Sequence, residues 1–438
     1  MSLGGIIIIF KKYLTKWNYN IILILVFMLM LVCNNSLAAD EAVNLSIDVN
    51  NKLENYHESK EVSFNYPEVF IPQFNVRGIY VTGWVAGLDK RMNNLIELVN
   101  NTILNTMVID VKDNLGYLSY SSEVEMTEKI NASKKKISDI KRLLTLLEKN
   151  NIYTIGRIVV FKDALLAKER PDLALEIEKE VEVKENKSKD IKIIKENVEN
   201  NRDVNIEKKN QNNKYKYSIY KSKKWVDPSN REVWNYNIEL AREALKLGFD
   251  EVQFDYIRYP ALKGNLSVFN KNDKNKIIND FVVTAQQNLK DLNKPISIDV
   301  FGMTTSVSNG LGIGQDYERL SKNINIISPM VYPSHYSAGV FGLSIPEKKP
   351  YETVYKSMDD ALKKSNANTI LRPWLQDFSI NYNYYAIDVI NQIKAVESLG
   401  INEWLLWNPS SRYTQEALES FRLERDHKNK RYNLVPSY

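Results

Sequence analysis

The residues that could carry chemistry are carboxylates, aromatics and a few cations, and they recur where apolar runs end. Asp255 closes "EVQF" in the stretch "GFDEVQFDYIRYP", with Arg258 and Tyr259 just behind it. Asp299 sits in "ISIDVFG", Asp110 and Lys112 in "VIDVKDNLG", and Arg157 in "YTIGRIVVF". Later runs bring Tyr332 and His335 in "VYPSHY", Trp374, Gln376 and Asp377 in "RPWLQDF", and Trp407 and Asn408 in "WLLWNPS". This mixture suits carbohydrate. Sugar rings present apolar faces to Trp and Tyr, their hydroxyls need carboxylate, amide and guanidinium partners, and two carboxylates flanking a glycosidic oxygen supply acid and nucleophile or base.

Asp255 and Asp299 carry most of this expectation. A carboxylate inside an apolar strand must be paired or functional, because an unpaired buried charge costs several kcal/mol. The structural alternatives are an ion pair to Arg258 or another arginine for Asp255, a bond to a neighbouring loop for Asp299, and an Asp/Asn turn for Asp110 and Asp113.

Other chemistries find little support. His57, His335 and His427 lie far apart without ligand spacing, so neither a metal site nor a Ser-His-Asp triad is expected, and no cofactor is implied. Cys33 is the single cysteine and lies in the N-terminal apolar segment. The charge is nearly balanced, 59 basic against 54 acidic residues for a net +5, which gives no footprint for nucleic acid.

To act together these residues must be gathered by the elements that bear them. Eight short apolar runs read as strands, at 78–84, 106–113, 153–161, 251–260, 296–304, 324–333, 369–378 and 403–410. Amphipathic segments separate them, several ending in Gly or Asn as in "KLGFDEV" and "SLGINEW". Strands buried on both faces and alternating with helices predict an α/β fold, a (β/α)8 TIM barrel. The first turn, "VTGWVAG", lacks the G-x-G-x-x-G of a dinucleotide-binding open sheet. In such a barrel the strand ends above form one face, where catalytic groups sit.

Outside the barrel, basic residues, an apolar run from Ile21 to Cys33 and a small-x-small site near Ala38 predict a signal peptide over 1–38, with an N-terminal anchor as the alternative. Residues 39–75 read as a linker, 76–425 as the barrel domain and 426–438 as a tail. A charged segment, 176–216, reads as a solvated, partly disordered or helical insertion in the third βα loop. The protein is therefore expected to be exported, extracellular or associated with the cell envelope, and to touch membrane only through an uncleaved N-terminal segment.

From Val76 to Arg412 the segments "VRGIYVTGW", "VIDVKDNLGYL", "FKDALLAKERPDLAL", "WVDPSNREVWNYNIELAREALKLGFDEVQFDYIRYP", "ISIDVFGM", "ISPMVYPSHY", "LRPWLQDF" and "EWLLWNPSSRY" resemble, in order, the bacterial putative glycoside hydrolase domain family known as domain of unknown function 4015. The resemblance implies a barrel distantly similar to amylase and α-galactosidase glycosidases, in which a carboxylate after the fourth strand is the nucleophile. It assigns that position to Asp255 and matches the acid best to Asp299. The expected function is retaining hydrolysis of an extracellular or cell-wall polysaccharide or oligosaccharide, with Asp110, Lys112, Arg157, Arg258, Tyr259, Tyr332, His335, Trp374, Gln376, Asp377, Trp407 and Asn408 as substrate contacts. The rivals are a carbohydrate-binding or envelope scaffold protein on a silent barrel, and an enzyme of other chemistry, since fold does not fix reaction.

Overall fold

The computed structural model describes residues 71–182, 208–209, 215–264, 266–268 and 273–422. The expected signal segment, the tail, most of the linker and the middle of the charged segment lie outside these residues. Among the described residues no helix is long and apolar enough to cross a membrane.

Eight parallel staves close into a barrel. In chain order they are β1 (Arg77–Val81), β2 (Thr106–Lys112), β3 (Tyr153–Val159), β7 (Glu251–Asp255), β9 (Ile296–Phe301), β10 (Ile326–Met330), the broken stave β11 (Ile370–Leu371) plus β12 (Trp374–Gln376), and β13 (Trp404–Trp407). The last pairs with the first, Gly78 opposite Leu405, so no edge remains. The seventh stave breaks at Pro373, which has no N–H to offer the ladder, although its carbonyl still accepts from Leu405 N at 2.9 Å. All eight expected strands are present, most of them shorter than their apolar runs.

Helices join the staves and begin where the sequence supplies caps. Asp139, Asn230, Asp273 and Asp316 each accept a backbone N–H in the first turn of the helix that follows. The helix Arg231–Leu247 stops at Gly248, whose φ of 122° an L side chain resists. The apolar faces of the helices bury the outer surface of the barrel in one large core, which includes Met107, Ile109, Leu143, Val252, Phe281 and Val396. A second cluster fills the barrel itself, with Val76, Tyr80, Val108, Ile155, Tyr332, Trp374 and Leu405. Gly78 leaves room there, since a Cβ would stand 2.7 Å from Leu405 Cδ2.

The charged segment departs from its expected character where it is described. Strands β4 (Ala174–Glu182) and β6 (Tyr215–Val226) pair antiparallel, with β5 (Lys208–Lys209) on one side and β8 (Leu266–Val268), from the loop after β7, on the other. The cause is readable in "ALEIEKEVE", where Leu175, Ile177 and Val181 alternate with charges at the period of a strand. Ile177, Ile219 and Val268 are buried in this small sheet. It brings Trp225 to the same end of the barrel as Asp255.

Candidate active site

The C-terminal ends of the staves gather three groups around one guanidinium. Arg157 on β3 donates from Nη1 to Asp110 Oδ1 at 2.6 Å, and from Nε and Nη2 to Asp255 Oδ2 at 3.0 and 2.6 Å. Tyr80, at the end of β1, donates its hydroxyl to the other oxygen of Asp110 at 2.6 Å. Each of its three nitrogens donates to a carboxylate, so Arg157 positions carboxylates.

Asp255 is 3% exposed and ends β7. Its second oxygen accepts the N–H of Tyr256 at 2.5 Å. Tyr256 has a φ of 52°, a left-handed conformation that is costly for a bulky side chain and that turns the chain sharply after the carboxylate.

Asp299 stands on the neighbouring stave. The last registered pair between β7 and β9 is Phe254 opposite Ile298, so Asp255 and Asp299 come next, side by side. Adjacent strands lie about 4.8 Å apart, and residues at one level point to one face. Asp299 is 1% exposed, and one oxygen accepts the indole N–H of Trp374 at 2.8 Å. Burial, and after it the charge of Asp255, push its carboxyl well above the usual range; Arg157 and the Trp374 bond oppose this without cancelling it. Asp110 is also raised by burial, against the pull of Arg157 and Tyr80. Two buried carboxylates at one level thus differ in partners: Asp255 is clasped by a guanidinium and Asp299 is not.

Aromatic rings surround this charge. Tyr80 and Trp407 stack at 3.9 Å between centroids, 12° from parallel, and Trp374 meets Trp407 edge-on at 5.4 Å. The Arg157 guanidinium lies 5.0 Å from the Trp407 ring centre. Tyr332 is buried in the barrel beside them, its hydroxyl pKa raised by burial and by the charges of Asp299 and Asp255. His335, exposed in the loop after β10, packs edge-on to Tyr332 at 5.2 Å. Arg258 lies at the rim, 4.9 Å from the Trp225 ring centre and 4.5 Å from that of Phe301.

Other expected contacts are committed elsewhere. Lys112, fully buried, is bonded at 2.7 Å to Asp163, which in turn caps the helix Ala164–Glu169. Asp377 accepts both the N–H and the hydroxyl of Thr414, at 2.9 and 2.6 Å. Gln376 bonds Ser334 N and Phe378 O, and Asn408 bonds Asp377 O and Ser410 N. Tyr259 is buried in the outer core. These five side chains are held by the protein's own loops and core. Asp113 makes the turn that its sequence suggested, accepting from Leu115 N and Tyr117 N. The site also contains residues not anticipated from sequence as contacts, namely Tyr80, Tyr256, Trp225 and Lys162. Tyr80 was readable, because period two puts it on the same face as Gly78, inside the barrel. Trp225 was not, since its place depends on the small sheet.

Among the described residues no group of three His, Cys, Asp or Glu side chains is arranged to hold a metal ion. Residues 78–413 match the family described as a putative glycosyl hydrolase domain, domain of unknown function 4015. The chain belongs to this family. The match spans all the staves from β1 to β13, and the carboxylate cluster lies within it.

Among solved structures, the likeness to one glycoside hydrolase domain bears on the fold. The glycoside hydrolase domain of PgaB (BpsB) from Bordetella bronchiseptica superposes with a TM-score of 0.54 at 9% identity, over 79% of this chain and 98% of that one. A hypothetical protein from Ruminiclostridium thermocellum is 34% identical over 48% of this chain and 92% of its own, with a TM-score of 0.36. The α-galactosidase of Thermus thermophilus in complex with stachyose is 13% identical, over 82% of this chain and 66% of its own, with a TM-score of 0.44. No curated protein matches the chain.

Proposed function

We propose that this family member is an exported retaining glycoside hydrolase of an extracellular or cell-wall polysaccharide, with Asp255 as nucleophile and Asp299 as acid/base. The observation that carries the reading is the asymmetry of two carboxylates on adjacent staves. Arg157 clasps Asp255 as a carboxylate, while burial and the charge of Asp255 favour a proton on Asp299. Retaining chemistry needs carboxyl groups about 5–5.5 Å apart, closer to the about 4.8 Å between neighbouring strands than the about 6.5–9.5 Å that inverting chemistry needs.

In this mechanism Asp299 gives its proton to the glycosidic oxygen as the C1–O bond breaks, and an oxygen of Asp255 bonds to C1 from the opposite face. The leaving group departs as an alcohol. Asp299, now a carboxylate, takes a proton from water, whose oxygen attacks C1 and releases Asp255. The Trp374 N–H holds one oxygen of Asp299 and so fixes which oxygen carries the proton. Trp407, half-buried beside the Arg157 guanidinium, offers a ring face to the sugar. Export is supported by the N-terminal sequence pattern alone.

The test is a screen of the full-length protein against wall glycans and α-linked oligosaccharides, with Asp255→Asn as control. Release of reducing sugar by the native chain and its loss in the variant are expected. Hydrolysis that survives the substitution unchanged removes Asp255 from the mechanism, and binding without turnover in both proteins favours a carbohydrate-binding scaffold.

A further inference from the structure

Two cations stand beside the carboxylate cluster with no carboxylate of their own. Arg258, three residues past Asp255, packs its guanidinium against Trp225, Phe301 and Tyr256, with ring centres at 4.9, 4.5 and 5.1 Å. Its one hydrogen bond among the described residues goes from Nη1 to Tyr259 O at 3.0 Å. Lys162, just past β3, lies 4.7 Å from the centre of the same Tyr256 ring and makes no ion pair with a described residue. Lys224, exposed on β6, adds a third positive charge nearby, enough to bear on Lys162.

Burial works against both charges. Burial pulls the Arg258 guanidinium down, and burial together with the charge of Arg258 pulls the Lys162 ammonium down. The nearest carboxylate, Asp255, is already held by Arg157. Aromatic faces recover part of the cost of the cations, and the Arg258 donors that Tyr259 O does not take make no other hydrogen bond among the described residues. A group that meets both needs is a sugar bearing an anion: its ring lies on Trp225 or Tyr256, and its carboxylate or phosphate accepts from the Arg258 fork and from Lys162.

We infer that the rim formed by Lys162, Trp225, Tyr256, Arg258 and Phe301 is a subsite for an anionic sugar residue of the substrate, a uronic acid or a phosphorylated sugar. The inference rests on the hydrolase reading for the location of the cleavage point, and it is tested by binding, without turnover. The small sheet has a role in it, since β6 delivers Trp225 and Lys224 to the rim of a barrel that already carries the carboxylates.

The experiment measures binding of three probes to the full-length Asp255→Asn protein by calorimetry: a uronic acid oligosaccharide, its methyl ester, and a glycerol-phosphate polymer bearing sugars. The acid should bind at least about tenfold tighter than its ester, the scale of a hydrogen bond to a charged group, and the difference should shrink with added salt. Arg258→Gln should reduce the preference to near unity. Lys162→Gln, at a half-exposed position that tolerates substitution, should reduce it in part. A preference for the phosphate polymer that the same two substitutions remove identifies phosphate as the anion. Equal binding of acid and ester, with no preference for the phosphate polymer, overturns the subsite, as does a preference that neither substitution changes. Selective binding of the acid by a native chain that cleaves none of the probes would instead count against the hydrolase reading and leave the subsite standing.

Discussion

Each end of the barrel holds a buried arginine among carboxylates, and the two differ in how they balance. At the N-terminal ends, Arg372 donates from Nη1 to both oxygens of Glu251, at 2.8 and 2.9 Å, and from Nε to Glu403 at 2.7 Å. The Ser297 hydroxyl also donates to Glu251, as does Tyr153 at 3.3 Å. Glu251 thus has a partner for each oxygen, and the second carboxylate, Glu403, reaches solvent. At the C-terminal ends Arg157 faces three buried carboxylates, and among the described residues the Asp299 side chain is bonded only by an indole N–H. The same residue types therefore serve as a tie at one end. At the other, among the described residues, they leave Asp299 without a bonded cation and Arg258 and Lys162 without a bonded carboxylate, at the C-terminal face of the barrel.

The sharpest way to break this comparison is to neutralise one carboxylate at each end. Asp255→Asn should lower kcat by about 10⁴-fold or more on any glycan the native chain cleaves, the scale of losing a nucleophile. Glu251→Gln should leave kcat within about tenfold, while costing about 3–5 kcal/mol of stability through the uncompensated Arg372. Steady-state rates together with urea unfolding separate the two. Equal losses of kcat at both ends would mean that the upper network is no more catalytic than the lower.

Asp299→Asn is next in size. Losing a general acid should cost about 10²–10⁴-fold on natural glycosides, and little on an aryl glycoside whose leaving group needs no proton. The native alkaline limb of kcat/KM, set by Asp299 losing its proton, should disappear for the aryl substrate. Stability should move the other way. Because the folded pKa is raised above the unfolded value of about 3.9, the stabilisation from Asp299 is complete below that value and is lost as pH rises through the folded one. The variant should therefore melt higher than the native chain at neutral pH, with a gap that closes towards acid. A native advantage at neutral pH would show Asp299 to be ionised and its partners sufficient.

Most of the fold could be read from the sequence because its signals are local. "TMVIDVK" is apolar on both faces, as a central parallel strand must be, and Asp139 or Gly248 mark helix ends by their own chemistry. Asp255 and Asp299 were also readable, as carboxylates in apolar runs. What could not be read is which partner each side chain takes. Lys112 and Arg157 look alike as cations on strands, yet one ties β2 to Asp163 and the other clasps two catalytic-face carboxylates. Those choices depend on a register shift between Asp110 and Lys112, and on distances between residues 47 and 98 apart in sequence. The first strand of the charged segment shows in "ALEIEKEVE" as alternation, which the density of charge around it obscures.

The two arginines offer a subtler contrast. Arg157→Met and Arg372→Met each strand buried carboxylates, and each should cost about 3–5 kcal/mol in urea unfolding. Tyr153 in the lower network and Arg157 in the upper lie four residues apart on β3, about 13 Å along the strand. Sites that far apart without shared partners add, so the double variant should lose the sum to within about 0.5 kcal/mol. A larger departure would show that the two networks are one. Only Arg157→Met should also abolish turnover.

The smallest expected effect tests whether the aromatic rim binds sugar or merely supports Arg157. Trp407 stacks on Tyr80 and lies 5.0 Å from the Arg157 guanidinium, so either role is compatible with its place. If it is a platform for the substrate, Trp407→Ala should raise KM about tenfold with little change in kcat, the signature of binding shared by ground and transition states, and Trp407→Phe should recover most of the loss. If it acts through Arg157, kcat should fall with kcat/KM and the ring of Phe should recover little, because the cation's attraction is strongest to an indole face. Among the described residues the lower network has no ring against its arginine, and Tyr153 there donates a hydroxyl to Glu251. A pure KM effect at Trp407 would thus place the difference between the two ends in what each presents to a ligand as well as in how each balances charge.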